Sequence, residues 1–259
     1  MERDGRINDA PILEFDPART AIIEPGRSQH DIVMPDRCVM TFFGEVARKF
    51  REMPGTRPIA TTRWETGAIE FFAMDYRGQE VGFVHVHVGA PVAAGILEFM
   101  IAYGAKKVIA CGGCGVLDSS IAAGHALVPT AAVRDEGTSY HYLPASRLVE
   151  LSASGIAAIK RTLHRHGVDC LECRTWTTDA PYRETVEMVR RRRAEGCLCV
   201  EMECSALAAV AAFRGIDFAQ LLYGGDDLGG AVYDEREWWK RLTVRERLFM
   251  LSVEAAAET

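Results

Sequence analysis

The chain has 259 residues, of which 48% are hydrophobic and 25% charged, and its formal net charge is −6. This composition is typical of a globular protein, and the negative charge argues against a general nucleic-acid-binding protein. The longest apolar run, residues 205–213, is about half of the roughly 18 residues that a membrane-spanning helix needs. The charged N-terminus lacks the apolar segment of a signal peptide, which predicts a cytoplasmic location.

Strand and helix patterns alternate from residue 69 onward. Residues 69–76 and 81–88 predict two strands of a hairpin, joined through Arg77-Gly78. A helix follows from Pro91 to Gly104, and residues 107–111 form the next strand. Strand, helix and strand within about 30 residues make a βαβ unit, which implies parallel strands.

The same alternation continues to the C-terminus. Further strands are predicted at 126–133, 169–176 and 218–223, and further helices at 146–166, 182–195, 204–214 and from Thr243 onward, where Thr243 and Glu246 match a capping box. No repeat or linker divides the chain. We therefore expect one α/β domain over residues 1–259, with a central mixed β-sheet flanked by helices.

The cysteines and histidines do not predict a metal site. Eight cysteines include the C-x-x-C pair Cys111 and Cys114, for which a redox pair is one interpretation and reduced, buried thiols are the other. His85 and His87 have the spacing of a metal pair on one strand face, but no third ligand is evident. We favour buried thiols and core histidines.

Two carboxylates flank Met202 where a buried segment turns into an apolar helix. Glu201 and Glu203 are costly to bury unless a polar group receives them. Ionised carboxylates only accept hydrogen bonds, and the adjacent hydroxyls of a ribose would supply two donors. Asp226, in a glycine-rich loop, offers a further acid, with Asp227 as the competing one. The pattern indicates an enzyme that acts on a nucleoside or a similar sugar, although solvated charges and a structural turn aspartate are the alternatives.

Four segments, in this order along the chain, resemble the nucleoside phosphorylase family, which also includes the methylthioadenosine/adenosylhomocysteine nucleosidases. Residues 112–117 resemble its glycine-rich turn at the phosphate site, and residues 177–182 resemble the segment that lines its base pocket. Residues 200–207 are similar to its ribose-binding signature, and Gly225-Asp226 to the Ser-Asp that carries the general acid. The resemblance implies a phosphorylase-type fold and scission of the bond between ribose C1′ and the base.

The resemblance also implies a role for each matching residue. Asp226 would be the catalytic residue that protonates the departing base, since an oxocarbenium-like transition state leaves negative charge there. The implied binding residues are Glu201, Met202 and Glu203 for ribose, Gly112, Gly113, Cys114 and Arg37 for phosphate, and Thr178, Asp179 and Tyr182 for the base.

The chain departs from the family at the phosphate site. Members that use phosphate usually carry an arginine on the strand before the glycine-rich turn and a serine or threonine inside it, where this chain has Ala110 and Gly113. The N-terminal phosphate loop is also broken up, because residues 1–40 partly diverge. Arg37 is the better match to its arginine and Arg27 the weaker one, and Arg134 could add a further donor.

Three functions remain open from the sequence. They are a nucleoside phosphorylase, a nucleosidase that uses water, and a nucleoside-binding protein without turnover. We favour the phosphorylase, because Arg37 and the glycine-rich turn retain an anion site. The resemblance then implies no cofactor apart from inorganic phosphate as co-substrate, and a homo-oligomer (dimer, trimer or hexamer) whose neighbouring subunits complete the active sites. The negative charge and the short apolar runs predict no nucleic-acid or membrane partner.

Overall fold

The computed structural model describes residues 10–26, 31–65, 67–230 and 232–259. The strands in these residues are β1 (Arg37–Thr41), β2 (Thr56–Trp64), β3 (Gly67–Tyr76), β4 (Gln79–His85), β5 (Lys107–Val116), β6 (Ala126–Asp135), β7 (Leu148–Glu150), β8 (Cys170–Thr178), β9 (Cys197–Glu201) and β10 (Asp217–Asp227). The α-helices are α1 (Gly44–Arg51), α2 (Ala90–Ala102), α3 (Ala153–Arg165), α4 (Val186–Ala194), α5 (Cys204–Arg214) and α6 (Leu242–Ala257).

All of these strands belong to one mixed sheet, as predicted. Its order is β10-β6-β8-β9-β5-β1-β4-β3-β2, with β7 beside β6. Because β10 also pairs with β5, the strands β5, β9, β8, β6 and β10 close into a ring. The predicted βαβ unit is confirmed in β4, α2 and β5, but β1 lies between its two strands and is parallel to both.

The predicted hairpin is confirmed in β3 and β4. The two strands are antiparallel, with Tyr76 opposite Gln79. The connecting residues Arg77 and Gly78 have φ angles of 55° and 83°. Two successive positive φ angles are what a two-residue type I′ turn requires, and the glycine adopts this conformation without steric cost.

Helices cover both faces of the sheet. On one face, α2 and α5 bury Leu97 and Leu207 against the strands. On the other face, α3 and α6 bury Ile159 and Phe249. Parallel strands covered on both faces read as continuous apolar runs, which is the pattern of β5 and β10. None of the helices in the described part of the chain is long and apolar enough to cross a bilayer.

Two of the predicted helices are shorter than expected. The range 146–166 begins with the short strand β7, whose Leu148 pairs with Val133 of β6, and only then continues as α3. The range 182–195 begins with a 3-10 turn, and α4 starts after Thr185, whose hydroxyl accepts the N–H of Met188. The sequence pattern therefore marks the ends of these two helices, at Arg165 and Ala194, more accurately than their starts.

The predicted capping box at Thr243 does not form. Helix α6 begins one residue earlier, at Leu242, so Thr243 lies inside the first turn. The eight cysteines are free thiols. Cys111 and Cys114 lie three residues apart on β5, and side chains at this spacing point to opposite faces of a strand. Their C-x-x-C spacing therefore does not form a redox pair.

Candidate active site

A cavity of about 290 Å³ opens at the carboxyl ends of β1, β5, β9 and β10. We call it the first cavity; its lining includes Phe42, Gly113, Met202, Glu203 and Asp226. A second cavity of about 470 Å³ is lined by Tyr182, Val186, Leu228 and Tyr233, among others. The two cavities share three lining residues, Pro181, Glu184 and Asp226. They are therefore two adjoining parts of one site.

Glu201 lines the first cavity, but its carboxylate is already occupied by protein donors. Oε1 accepts hydrogen bonds from the hydroxyls of Thr177 (2.6 Å) and Thr175 (3.3 Å) on β8. Oε2 accepts the backbone N–H groups of Glu203 (2.8 Å) and Cys204 (2.7 Å) at the start of α5. Burial raises the pKa of Glu201 to about 7. Glu201 therefore fixes the start of α5 against β8, which positions its neighbours.

Glu203 has fewer protein donors than Glu201 and is the more accessible hydrogen-bond acceptor. Its side chain is 5% exposed and accepts the N–H of Gly89, immediately before α2, at 2.6 Å. Burial and then the charge of Glu201 raise the pKa of Glu203 to about 8. A buried carboxyl with free acceptor capacity favours a ligand that donates hydrogen bonds, as hydroxyl groups do.

Asp226 lies where the two cavities meet. Burial raises the pKa of its carboxyl, and this effect is partly offset by hydrogen bonds from the backbone and from Tyr233. The neighbouring Asp227 lines neither cavity, and its carboxylate accepts from Arg236 (2.6 Å), Ser119 (3.1 Å) and the N–H of Gly229 (2.8 Å). Asp227 is thus held in a structural ion pair, whereas Asp226 is available for proton transfer.

Glu184 is a site residue that the sequence analysis missed. It lines both cavities. Burial, and then the charge of Asp226, raise its pKa to about 7. Its position two residues after the end of the segment that resembles a base pocket is the signal that could have indicated it. Two acids beside each other with raised pKa values are typical of a site that transfers protons.

The residues expected around the base are not brought together. Tyr182 lines the second cavity, where its side chain is 99% exposed. Thr178 lines neither cavity, and its hydroxyl accepts the N–H of Ala180. Asp179 accepts the N–H of Gly137 and lines a different cavity, beside Arg214. Thr178 and Asp179 instead shape the loop after β8, which presents Pro181 and Glu184 to the site.

The glycine-rich segment is part of strand β5 and does not form a turn. Gly113 and Cys114 line the first cavity and Gly112 does not, and all three pair with β10. Backbone groups used in this pairing are not free to surround an anion. A side chain at position 113 would meet the ring of Tyr223 at 3.2 Å. The ring of Tyr223 therefore crowds the position that a serine or threonine side chain would take.

The arginines expected to bind phosphate lie elsewhere. Arg37 is the first residue of β1, at the end of the strand opposite to the first cavity, and pairs with Asp36 at 3.1 Å. A rise of about 3.3 Å per residue puts the two ends of β1 about 13 Å apart. Arg134 is buried and donates to Ser139 and to the carbonyl of Pro144. Arg27 lies outside the described residues.

Arg245 of α6 was not expected at the site. Among the described residues that line the first cavity it is the only cationic side chain. Its Nε donates to the hydroxyl of Tyr223 at 3.1 Å, and its Nη1 pairs with Glu45. The carboxyl groups that line the same cavity belong to Glu184, Glu201, Glu203 and Asp226. The cavity is therefore predominantly acidic.

No cluster of three or more histidine, cysteine or acidic side chains with the geometry of a metal site occurs in the described part of the chain. His85 and His87 lie side by side, with ring centroids 5.2 Å apart. Burial, and then the charge of His87, lower the pKa of His85. Both rings lie away from the two cavities, beside Arg48 and Glu70.

The chain matches the family model described as "Phosphorylase superfamily" over residues 36–255. It is 25% identical to the DeoD-type purine nucleoside phosphorylase of Bacillus cytotoxicus over 194 residues. The aligned region covers 72% of this chain and 80% of that protein. It also resembles the crystal structure of an AMP nucleosidase from Bacteroides thetaiotaomicron, with a TM-score of 0.70, 25% identity, and coverage of 86% and 87% of the two chains. A purine nucleoside phosphorylase from Toxoplasma gondii has the same fold, with a TM-score of 0.75, 20% identity, and coverage of 90% and 94%.

Proposed function

Because the chain belongs to the phosphorylase superfamily, we propose that it cleaves the N-glycosidic bond of a purine or pyrimidine ribonucleoside. The observation that carries this proposal is the position of Asp226 at the junction of two adjoining cavities. The first cavity, with Glu203, receives the ribose, and the second, with Tyr182, receives the base. The bond between sugar and base then lies beside Asp226.

The side chains of the site match the charges that develop during cleavage. The transition state of glycosidic scission has positive charge on the sugar and negative charge on the leaving base. Glu203 accepts hydrogen bonds from the ribose hydroxyls, and Met202 packs against the apolar face of the sugar. Burial raises the pKa of Asp226, which favours its protonated form, and this carboxyl gives its proton to the base. Glu201 acts as a positioning residue because protein donors occupy both of its oxygens.

Water is the nucleophile that this site favours. A phosphate dianion in the first cavity would face several carboxyl groups and one arginine, Arg245, whose charge is compensated by Glu45. Burial raises the pKa values of these carboxyl groups. Those that ionise would repel the dianion, and those that stay protonated supply no positive charge to hold it. The sequence favoured phosphorolysis because of Arg37, but Arg37 lies at the far end of β1. The likeness to an AMP nucleosidase supports hydrolysis.

Phosphorolysis is the second candidate function. Arg245 lies next to Tyr223, beside Gly113 of the glycine-rich segment, so a single cationic donor is present in the first cavity. The likeness to a DeoD-type purine nucleoside phosphorylase supports this candidate. In an oligomer, a neighbouring subunit would have to supply the remaining positive charge.

Release of free base distinguishes these functions. Purine and pyrimidine ribonucleosides, together with AMP, are incubated with the protein in the absence and in the presence of millimolar phosphate. We expect free base and ribose in both conditions. Release that requires phosphate and yields ribose 1-phosphate would establish phosphorolysis instead. A protein that binds nucleosides but releases no base would contradict both enzymatic functions.

A further inference from the structure

The first cavity contains a buried amide that the mechanism above does not use. Gln220 of β10 is 1% exposed and lines this cavity. Within the described part of the chain, neither its Nε2 nor its Oε1 has a hydrogen-bond partner. Burial of an unpaired amide costs free energy of folding, so such a group is normally satisfied by water or by a ligand. An amide at the wall of a cavity is placed to receive a ligand.

Gln220 lies beside the position at which the resembling family binds its nucleophile, phosphate. It lies opposite Ala110 of β5, the position at which phosphate-using members of the resembling family usually carry an arginine. Phe218, two residues earlier on β10, packs in the same cluster as Ala110 and Leu207 of α5. Alternate residues of a strand point to the same face, so Gln220 faces α5, the helix that follows Glu203. The amide and the proposed ribose ligand thus lie on one side of the sheet.

The chemistry of an amide selects its ligand. A carboxamide offers donors on nitrogen and an acceptor on oxygen, and it is neutral. A phosphate dianion carries two negative charges, and a neutral amide supplies no positive charge to stabilise it. Water both donates and accepts, and it can satisfy both ends of the amide. Ala110 stands where an arginine would bind an anion, and the neutral Gln220 lies beside it. This part of the cavity therefore suits a water molecule better than an anion.

We propose that Gln220 binds the water molecule that attacks C1′ of the ribose. This inference rests on the proposed function. The oxygen of this water forms a bond to C1′ while the bond between C1′ and the base nitrogen breaks. The electron pair of the broken bond stays on the base, which takes a proton from Asp226. The water bonded to C1′ releases one proton to solvent, which leaves the C1′ hydroxyl group, and solvent returns a proton to Asp226. The products are ribose and free base.

The variant Gln220→Leu tests this role, because leucine has a similar volume and no polar atoms. We expect kcat to fall by about 10-fold or more, since the nucleophile is no longer held in place, and KM to stay close to the wild-type value. The midpoint of thermal unfolding should stay the same or rise, because an unpaired buried amide is removed. Leu221→Met, a change at the next residue on the opposite face of β10, is the matched control and should leave kcat unchanged.

A competing nucleophile gives a readout that a merely structural residue would not change. In mixtures of water and methanol, the oxocarbenium-like sugar is trapped as ribose or as methyl riboside. If Gln220 selects water, Gln220→Leu should yield a larger share of methyl riboside than the wild type at the same methanol concentration. An unchanged product ratio with unchanged kcat would overturn the proposal.

Other outcomes separate this proposal from the proposed function. A raised KM with unchanged kcat would mean that Gln220 binds a substrate group, and would overturn its role toward water. A wild-type protein that hydrolyses nucleosides while the variant does so equally well would overturn only the role of Gln220. A wild-type protein that releases base solely with phosphate, or not at all, would overturn hydrolysis itself and the water site with it.

Discussion

The two adjacent aspartates at the end of β10 show how neighbouring side chains take different roles. Asp226 lies in the site with a raised pKa, whereas Asp227 is bound by Arg236 and Ser119. We expect Asp226→Asn to lower kcat by about 100-fold or more, because the general acid is lost, with little change in stability. Asp227→Asn should instead lower the free energy of unfolding by about 1–3 kcal/mol, because Arg236 loses its charged partner.

Kinetics and thermal unfolding of the two variants provide the measurement, and each variant serves as the control for the other. If Asp227→Asn lost turnover while remaining stable, and Asp226→Asn did not, the assignment of the general acid would have to be reversed.

Glu203 is the residue that should recognise the sugar hydroxyls. It is buried, and Gly89 is its closest backbone donor. Glu203→Ala should weaken binding of ribonucleosides far more than binding of their 2′-deoxy analogues, because only the former donate a 2′-hydroxyl group. Dissociation constants for matched pairs of nucleosides measure the difference. Equal losses for both sugars would mean that Glu203 does not contact the 2′-hydroxyl.

At the scale of elements, the start of α5 depends on Glu201. Its carboxylate joins two threonine hydroxyls of β8 to two N–H groups at the start of the helix. Glu201→Gln replaces one acceptor oxygen by an NH₂ group that would face these donors. We expect the free energy of unfolding to fall by about 1–3 kcal/mol, because a buried donor is left unpaired.

Glu203→Gln is the matched control for this change, since it makes the same replacement of a carboxyl by an amide two residues further along the chain. Because burial and the charge of Glu201 disfavour the ionised form of Glu203, this variant should be at least as stable as the wild type near pH 8. Thermal unfolding of both variants tests the difference. A Glu201→Gln variant as stable as Glu203→Gln would show that Glu201 does not anchor α5.

Local elements of this fold could be predicted from the sequence, and contacts between distant elements could not. The hairpin of β3 and β4 depends on its own alternation and on the Arg77-Gly78 turn. The insertion of β1 between β4 and β5 depends on pairing over long stretches of chain, for which periodicity carries no signal. For the same reason Arg37 matched a motif by residue type, although strand register places it at the wrong end of β1.

The candidate site shows the same division. Glu203 and Asp226 could be predicted because each sits in a local motif next to a recognisable element. Gln220 and Arg245 could not, because an ordinary apolar strand and a largely buried helix carry them. Their proximity to the site arises only from the pairing of β10 with β5 and from the packing of α6.

At the scale of the whole molecule, the second cavity suggests how subunits meet. Three of its apolar residues are exposed: Tyr182 by 99%, Val186 by 84% and Tyr233 by 59%. A contiguous apolar surface of this kind is typical of an interaction site. We expect a homo-oligomer that covers it, and Val186→Lys should shift the population toward monomer. Light scattering coupled to size-exclusion chromatography measures the mass; a monomeric wild type would contradict this expectation.

The pH dependence of stability is a second property of the whole molecule. Burial raises the pKa of Glu184 and Glu201 to about 7 and that of Glu203 to about 8. Between about pH 5 and pH 8 the folded protein therefore holds protons that the unfolded chain has released. The free energy of unfolding should fall as pH rises through this window, by up to about 1.4 kcal/mol per pH unit for each proton.

Glu254 has the opposite effect at low pH. Burial alone would raise the pKa of Glu254. Hydrogen bonds from Tyr76, Arg165 and His166 outweigh this effect and lower the pKa to about 2. Its contribution to stability is present above the pKa of an unfolded glutamate and is lost as pH falls toward about 2.

Because stability falls on both sides, it should be greatest near pH 5. Thermal midpoints between about pH 3 and pH 9 measure the curve, and Glu203→Gln should flatten its alkaline side while leaving the value near pH 5 unchanged. A midpoint that stays constant from about pH 5 to pH 8 would show that these carboxyls titrate normally in the folded protein, and would remove the physical basis for a buried acid at the site.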